Sequence, residues 1–397
     1  MSIPHRRPTA GFRAGPESRI TMTYRITKSL PLIAVPVLLL AAGCEDDREP
    51  VGGTAGPGGG TPAAAQFTLA WSEYPSWSVF GVAEQKGLID GGSGAMGSLE
   101  EKHNVDIVLR NLDYDTCLTQ YANGQLDAVC ITNIDVLPLA GSVPSVAVLP
   151  TSTSNGADAV IVTGDIEEVA DLKGVEAKGL EKSVSEYTFR RGLEVSGEDP
   201  DEYTFSNLDP AAAATAMQAG DDGVRAIVVW NPFVLQTLNT TPDARRLFDS
   251  SLIPGEIVDM VVVTEEALAR PGGDAFVAAF GEAFYAVAAD LQDDSDQRQA
   301  TLGMLGGLFG GLTADEMAVV TEETEFYDTP ARGVEVMESP ELKRATDRVV
   351  QFAQDRGLLE GDAPNIAFGD GGNDVGLRFQ PSYLSGMAGD GALPEPE

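Results

Sequence analysis

Short apolar runs alternate with amphipathic stretches along most of the chain. Phe67 to Trp71 alternates at period two, Val105 to Leu109 and Leu126 to Ile131 are rich in β-branched residues, and Ser145 to Leu149 is apolar again. Each run predicts a strand. Between them, Val79 to Gly87 predicts a helix closed by glycine, and Asp113-Tyr114-Asp115 opens a second that ends near Asn123-Gly124. Thr132-Asn133-Ile134-Asp135 leads into a further short helix. Strands and helices alternating at this spacing predict an α/β fold, a parallel sheet with helices on both faces.

Thr151 to Asp158 interrupts the rhythm, and Ala159 to Val162 starts a second round. Its expected helices begin at Ser183 and Pro210, and Arg225 to Trp230 is a strand that runs into Asn231-Pro232-Phe233. Beyond residue 263 the pattern is mainly helical, from Ala275 to Leu291, Gln297 to Phe309, Ala314 to Val320 and Glu341 to Leu358. Two α/β rounds joined by two crossings, Ala157–Val162 outward and Ile257–Val263 back, predict two lobes about a hinge. Residues 67–156 and 263–397 form the first lobe and residues 157–262 the second. In open parallel sheets ligands bind where strands end and helices begin. Five loops should therefore face the cleft: Ser72–Trp77, Thr132–Asp135, Ser152–Asp158, Ser183–Tyr187 and Trp230–Phe233.

The return crossing holds a further signal. A polar turn from Asp249 to Gly255 opens into Ile257 to Val263, a buried-strand pattern that carries Glu256 and Asp259 at its mouth. Carboxylates there are costly without partners. Either they cap and pair within a lobe, or they face a ligand.

The start of the chain has another character. Arg25 and Lys28 precede a short apolar run, Leu30 to Ala42, which is followed by Gly43-Cys44. The run is too short to span a bilayer and fits an export signal over residues 22–43. Residues 44–66 are Gly-, Pro- and Ala-rich and predict a flexible tether. Formal charge is -35, which leaves no electrostatic footprint for nucleic acid. His103 is the one histidine beyond the signal, which argues against His-dependent triads and most zinc sites. No metal or cofactor is expected. Cys117 and Cys130 would be free to pair in an exported chain.

Several motifs together resemble a known family. They are Thr132-Asn133-x-Asp135, Ser154-Asn155-Gly156-x-Asp158, Ser183-Val184-Ser185-x-Tyr187, Trp230-Asn231-Pro232, Phe248 to Asp259 and Leu377-Arg378-Phe379. The chain from Phe67 onward resembles the periplasmic binding proteins of ABC importers, in the nitrate/sulfonate/taurine/thiamine-pyrimidine superfamily. Within it the chain is most similar to the binding proteins of urea-carboxylase-associated transporters, linked to urea and guanidine. The resemblance implies a type II-like two-lobed fold, a monomer, a small-molecule solute, a membrane permease as partner and no enzymatic activity. The cysteine after Gly43 resembles a lipobox, which implies a lipid on Cys44 and residence on the outer face of a membrane. Glu186 departs from the pattern, standing where histidine is expected.

The residues expected at the ligand are Glu73, Trp77, Asn133, Asp135, Ser154, Asp158, Ser183, Ser185, Tyr187, Trp230, Asn231, Glu256 and Asp259. Carboxylates and aromatic faces suit a flat, nitrogen-rich cation such as guanidinium. The helix start at Ser183 favours an anion instead, so nitrate, a sulfonate such as taurine, or a thiamine pyrimidine precursor stay open as alternatives. A pyrimidine-forming enzyme on this fold would lean on histidine and a cysteine-rich iron motif, and a single His103 with no cysteine cluster argues against it. A ligand sensor that reports to a membrane receptor is a third reading.

Overall fold

The computed structural model describes residues 64–292, 296–359, 361–372 and 374–389. The expected signal, Cys44 and most of the expected tether lie outside these residues. The strands, in chain order, are β1 (Ala65–Trp71), β2 (Val105–Asn111), β3 (Ala128–Thr132), β4 (Ser145–Ser154), β5 (Asp158–Val162), β6 (Glu176–Gly179) and β7 (Thr204–Asn207). They continue with β8 (Ala226–Trp230), β9 (Arg245–Asp249), β10 (Val258–Thr264), β11 (Thr324–Phe326), β12 (Ile366–Phe368) and β13 (Leu377–Phe379). β1 thus takes in Ala65 and Gln66, which composition alone assigns to the tether.

Two sheets result. The larger has the order β12-β13-β4-β10-β3-β1-β2, with β11 on β4, and the smaller has β7-β6-β8-β5-β9. Helices flank both, giving the two-lobed α/β arrangement expected from the alternating pattern. The β1–β2, β1–β3, β6–β7 and β6–β8 pairs are parallel. The strands beside the crossings are not: β10 runs antiparallel to β3 and β4, and β5 runs antiparallel to β8 and β9. A chain that leaves one sheet and later returns along the same seam must run against its outgoing neighbour.

Register at these antiparallel pairs fixes the acids. Asp259 sits opposite Thr132 on one side and Ser152 on the other, and Asp158 sits opposite Trp230. The crossings themselves precede the segments that the sequence pattern indicates. β5 and β10 lie inside the sheets, leaving residues 155–157 outward and 250–257 back as the connecting chain. Each crossing contains a glycine with positive φ, +108° at Gly156 and +70° at Gly255. A side chain is disfavoured at either position. Ser250 Oγ ties the two crossings together, 2.7 Å from Ser154 Oγ and accepting from the Gly156 N–H at 2.8 Å.

The large lobe is held by an aromatic seam. Phe276, Phe280 and Phe284 recur every four residues on the Gly273–Gln292 helix and are fully buried. That spacing keeps them on one helical face. Phe67 of β1 stacks on Phe276 with centroids 4.7 Å apart, and Phe80 meets Phe280 edge-on at 6.2 Å. Truncating any of these rings should cost about 3–5 kcal/mol. Cys117 and Cys130 are buried free thiols, and burial pushes the Cys117 thiol up to about 12. Among the described residues no helix is long and apolar enough to cross a membrane.

Candidate ligand-binding site

Between the two sheets lies a small cavity of about 10 Å³, lined by Tyr74, Trp77, Tyr114, Thr132, Asp158, Val184, Trp230 and Asp259. Strand ends and the loops after them supply every wall. Tyr74 and Trp77 follow β1, Tyr114 follows β2 and Thr132 ends β3. Asp158 and Trp230 sit at paired ends of β5 and β8, and Val184 starts the Val184–Val195 helix.

Three carboxyl groups converge here. Asp135, Asp158 and Asp259 are 3%, 3% and 1% exposed, and none pairs with a Lys or Arg among the described residues. Asp135 Oδ2 accepts from Tyr114 Oη at 2.7 Å and from Thr132 Oγ1 at 2.8 Å. Its Oδ1 accepts from the Val184 backbone N–H at 3.1 Å. Asp259 Oδ2 accepts from Ser152 Oγ at 2.7 Å, and Ser152 Oγ lies 2.8 Å from Ser76 Oγ.

Burial dominates their chemistry. Loss of water raises the Asp135 carboxyl to about 6, opposed by its hydrogen bonds to Tyr114, Thr132 and Val184. Burial raises Asp158 to about 7, with the Asp135 charge adding to the rise. Asp259 is raised well above the ordinary range, first by burial and then by the charges of Asp158 and Asp135. A buried carboxylate without a cation is strongly disfavoured, so protons or a positive ligand must neutralise this cluster.

Aromatic rings complete the enclosure. Trp77 stacks with Tyr114 at 5.3 Å, Tyr74 tilts against Trp77 at 4.9 Å, and Tyr114 meets Trp230 edge-on at 5.6 Å. The Tyr74 hydroxyl stands close to the Asp259 carboxyl, and the indole N–H of Trp77 is buried without a hydrogen-bond partner. Such a group persists where a ligand or water meets it.

Among the residues expected from sequence, Trp77, Asp158, Trp230 and Asp259 line the cavity, and Asp135 backs it through Tyr114, Thr132 and Val184. Ser185 is next to Val184, and its buried Oγ has no partner. The other expected residues are engaged elsewhere. Asn133 spends its amide on the return crossing, donating to Glu256 O at 3.0 Å and accepting from the Val258 N–H at 2.9 Å. Ser154 ties the crossings to each other, and Ser183 Oγ donates to Leu180 O while capping the Ser185 N–H. Asn231 Nδ2 donates to Glu323 Oε2 at 2.6 Å, and Glu73 stands outside the Tyr114–Trp230 wall.

Glu256 also lies off the cavity. Its carboxylate accepts from Tyr187 Oη at 2.6 Å, from Arg191 Nε at 3.1 Å and sits 3.1 Å from Arg348 Nε. That leaves Tyr187 and Glu256 occupied with each other. Glu186 is taken up by Arg190, at 3.1 Å, and by the Lys182 N–H, at 2.9 Å. Thr132 and Val184 lie in loops expected at the cleft without being singled out as ligand residues, and Tyr114 lies outside those loops. Tyr114 reads as part of a helix start, and only its place after β2 brings its ring inward.

No protein-family model matches the chain, and no curated protein matches it in sequence. Its fold matches solved structures of periplasmic solute-binding proteins. The alkanesulfonate-binding protein SsuA from Xanthomonas axonopodis pv. citri, bound to MOPS, aligns with a TM-score of 0.61 at 18% identity, covering 76% of this chain and 97% of that one. The periplasmic aliphatic sulphonate-binding protein SsuA from Escherichia coli aligns at 0.59 and 18% identity, covering 76% and 90%. The ligand-binding component of an ABC-type import system from Staphylococcus aureus, with zinc bound, aligns at 0.56 and 11% identity, covering 75% and 94%.

Proposed function

We propose that the protein is an extracytoplasmic solute-binding protein that closes its two lobes on a small, flat, nitrogen-rich cation of the guanidinium type. It passes that cation to an ABC permease and makes or breaks no bond. The observation that carries this reading is the convergence of Asp135, Asp158 and Asp259 on one aromatic-walled cavity with no Lys or Arg among the described residues to neutralise them. A guanidinium ion supplies donors in one plane, and each charge-assisted hydrogen bond to a carboxylate contributes about 1.5–3 kcal/mol. A ring face against that plane adds roughly 0.5–2 kcal/mol.

The same site disfavours the anions that the helix at Ser183 would otherwise attract. The first free N–H of that helix, on Val184, already donates to Asp135. A sulfonate or nitrate would have to displace a carboxylate held by three hydrogen bonds and then sit beside two more acids. Neutral urea is the second reading, favoured by the readiness of Asp135 and Asp158 to hold protons near neutrality. As part of the same proposal, the chain is exported by residues 22–43, lipidated at Cys44 and works as a monomer on its tether.

A thermal-shift screen with millimolar guanidinium, urea, methylammonium, nitrate and taurine tests the assignment. Guanidinium should raise the melting temperature most, with nitrate and taurine flat. A shift with the anions and none with guanidinium overturns it.

A further inference from the structure

The cavity has a neighbour. A chamber of about 160 Å³ adjoins it across Tyr114 and Trp230, which line both spaces. Ser72, Glu73, Asn111, Asp113 and Asp209 form much of its remaining wall, and no Lys or Arg lines it. Asp113 and Asp209 each cap a helix, accepting from the Thr116 and Ala212 N–H groups. The Glu73 carboxylate has no hydrogen-bond or ion-pair partner among the described residues, its backbone carbonyl alone being used, by Trp230 Nε1 at 3.1 Å. Partial burial and the charge of Asp209 raise the Glu73 carboxyl from its ordinary value.

Acids alone would make this a solvated mouth. Ser72 adds an independent sign: it is 3% exposed, lines the chamber, and its Oγ has no hydrogen-bond partner. A buried hydroxyl left unpaired is costly unless a guest satisfies it. The position of the dividing wall matters as well. Trp230 ends β8 of the smaller sheet and Tyr114 follows β2 of the larger, so the two rings meet where the lobes meet. These two rings form a boundary that the two spaces share.

We propose that the chamber is a second cation subsite, and that the cleft accepts a linear dication with a flat head in the cavity and an alkyl-linked ammonium beside Glu73 and Ser72. This rests on reading the cavity as a cation site. In that arrangement Tyr114 and Trp230 flank the alkyl chain, the Glu73 carboxylate accepts from the ammonium, and Ser72 Oγ gains its missing partner. The chamber then selects for a second positive charge at one chain length from the first.

Calorimetric titration of the protein with guanidinium, butylguanidinium and an aminobutylguanidinium tests the idea. The amine-ended ligand should bind about tenfold more tightly than the butyl one, a difference near 1.4 kcal/mol. In Glu73→Gln the two should come within about twofold of each other, a few tenths of a kcal/mol. Equal binding of the two by the unaltered protein overturns the chamber proposal, as does an advantage that survives Glu73→Gln. Absence of guanidinium binding overturns the cavity reading itself, which separates the two failures.

Discussion

The backbone N–H of Val184 donates to Asp135 Oδ1 at 3.1 Å, joining the first helical turn of the smaller lobe to a loop of the larger. The positive end of the helix dipole is therefore met by the protein's own carboxylate. Replacing Asp135 by Asn keeps an acceptor for Val184 and removes one buried charge. Guanidinium affinity should fall by about tenfold or more, the loss of one charge-assisted bond. Titration calorimetry on Asp135→Asn checks this, and urea binding should change less.

Stability of the empty protein should decline as pH rises through the neutral range. Asp135 and Asp158 titrate near 6 and 7 when folded, against about 3.9 when unfolded. The folded state thus binds more protons between those values, and stability falls with rising pH across that window. Below about pH 4 both states are protonated and the groups contribute nothing. Melting temperatures from pH 4.5 to 8, taken as roughly spanning the two pKa ranges, should drop with a slope that Asp158→Asn reduces. Guanidinium should raise the melting temperature more at the alkaline end.

Glu256 should behave as a structural residue. It joins Tyr187 and Arg191 of the smaller lobe to Arg348 of the Pro340–Asp355 helix. Glu256→Gln leaves two arginines with a weaker partner, and since both are partly exposed the loss should be about 1–3 kcal/mol of stability. Denaturant unfolding measures it. The pH dependence of cation binding should remain that of the unaltered protein.

Two of the three tryptophans, Trp77 and Trp230, line the cavity. Cation binding should therefore change the intrinsic fluorescence, and Trp230→Phe should remove much of the response. Trp77→Phe keeps a ring against Tyr114 while weakening the cation contact. Affinity should fall by about three- to tenfold, within the range of one cation–π contact.

The fold was legible because its signals are local. Period-two runs, helix caps and crossing glycines each read within a dozen residues, and β1, β3, β5, β8 and β10 sit where the apolar pattern places them. The acids at strand ends were legible for the same reason: Asp158 and Asp259 follow from strand position. What the chain does not announce is which polar side chains spend themselves on each other. Glu256 and Asp259 are three residues apart at the mouth of one strand, yet strand alternation and the reach of Arg191 and Arg348 send one to an ion pair and the other to the cavity. Asn133 and Asn231 read as ligand groups because they sit in cleft loops and in the motifs of the resemblance, and their amides serve equally well to pin backbone. Tyr114 is invisible for the opposite reason, being an ordinary helix-start residue until β2 is set beside β1.

The most direct measurement counts protons as the cation binds. Titrating guanidinium near pH 6.5 in buffers of different ionisation enthalpy gives the number released. Displacement of protons from Asp135, Asp158 and Asp259 should release about half a proton or more per cation, the part from Asp135 and Asp158 falling towards zero above about pH 8. Guanidinium binding with no proton release at either pH, or heat from taurine and none from guanidinium, would contradict the claim that these three carboxyl groups grip a cation.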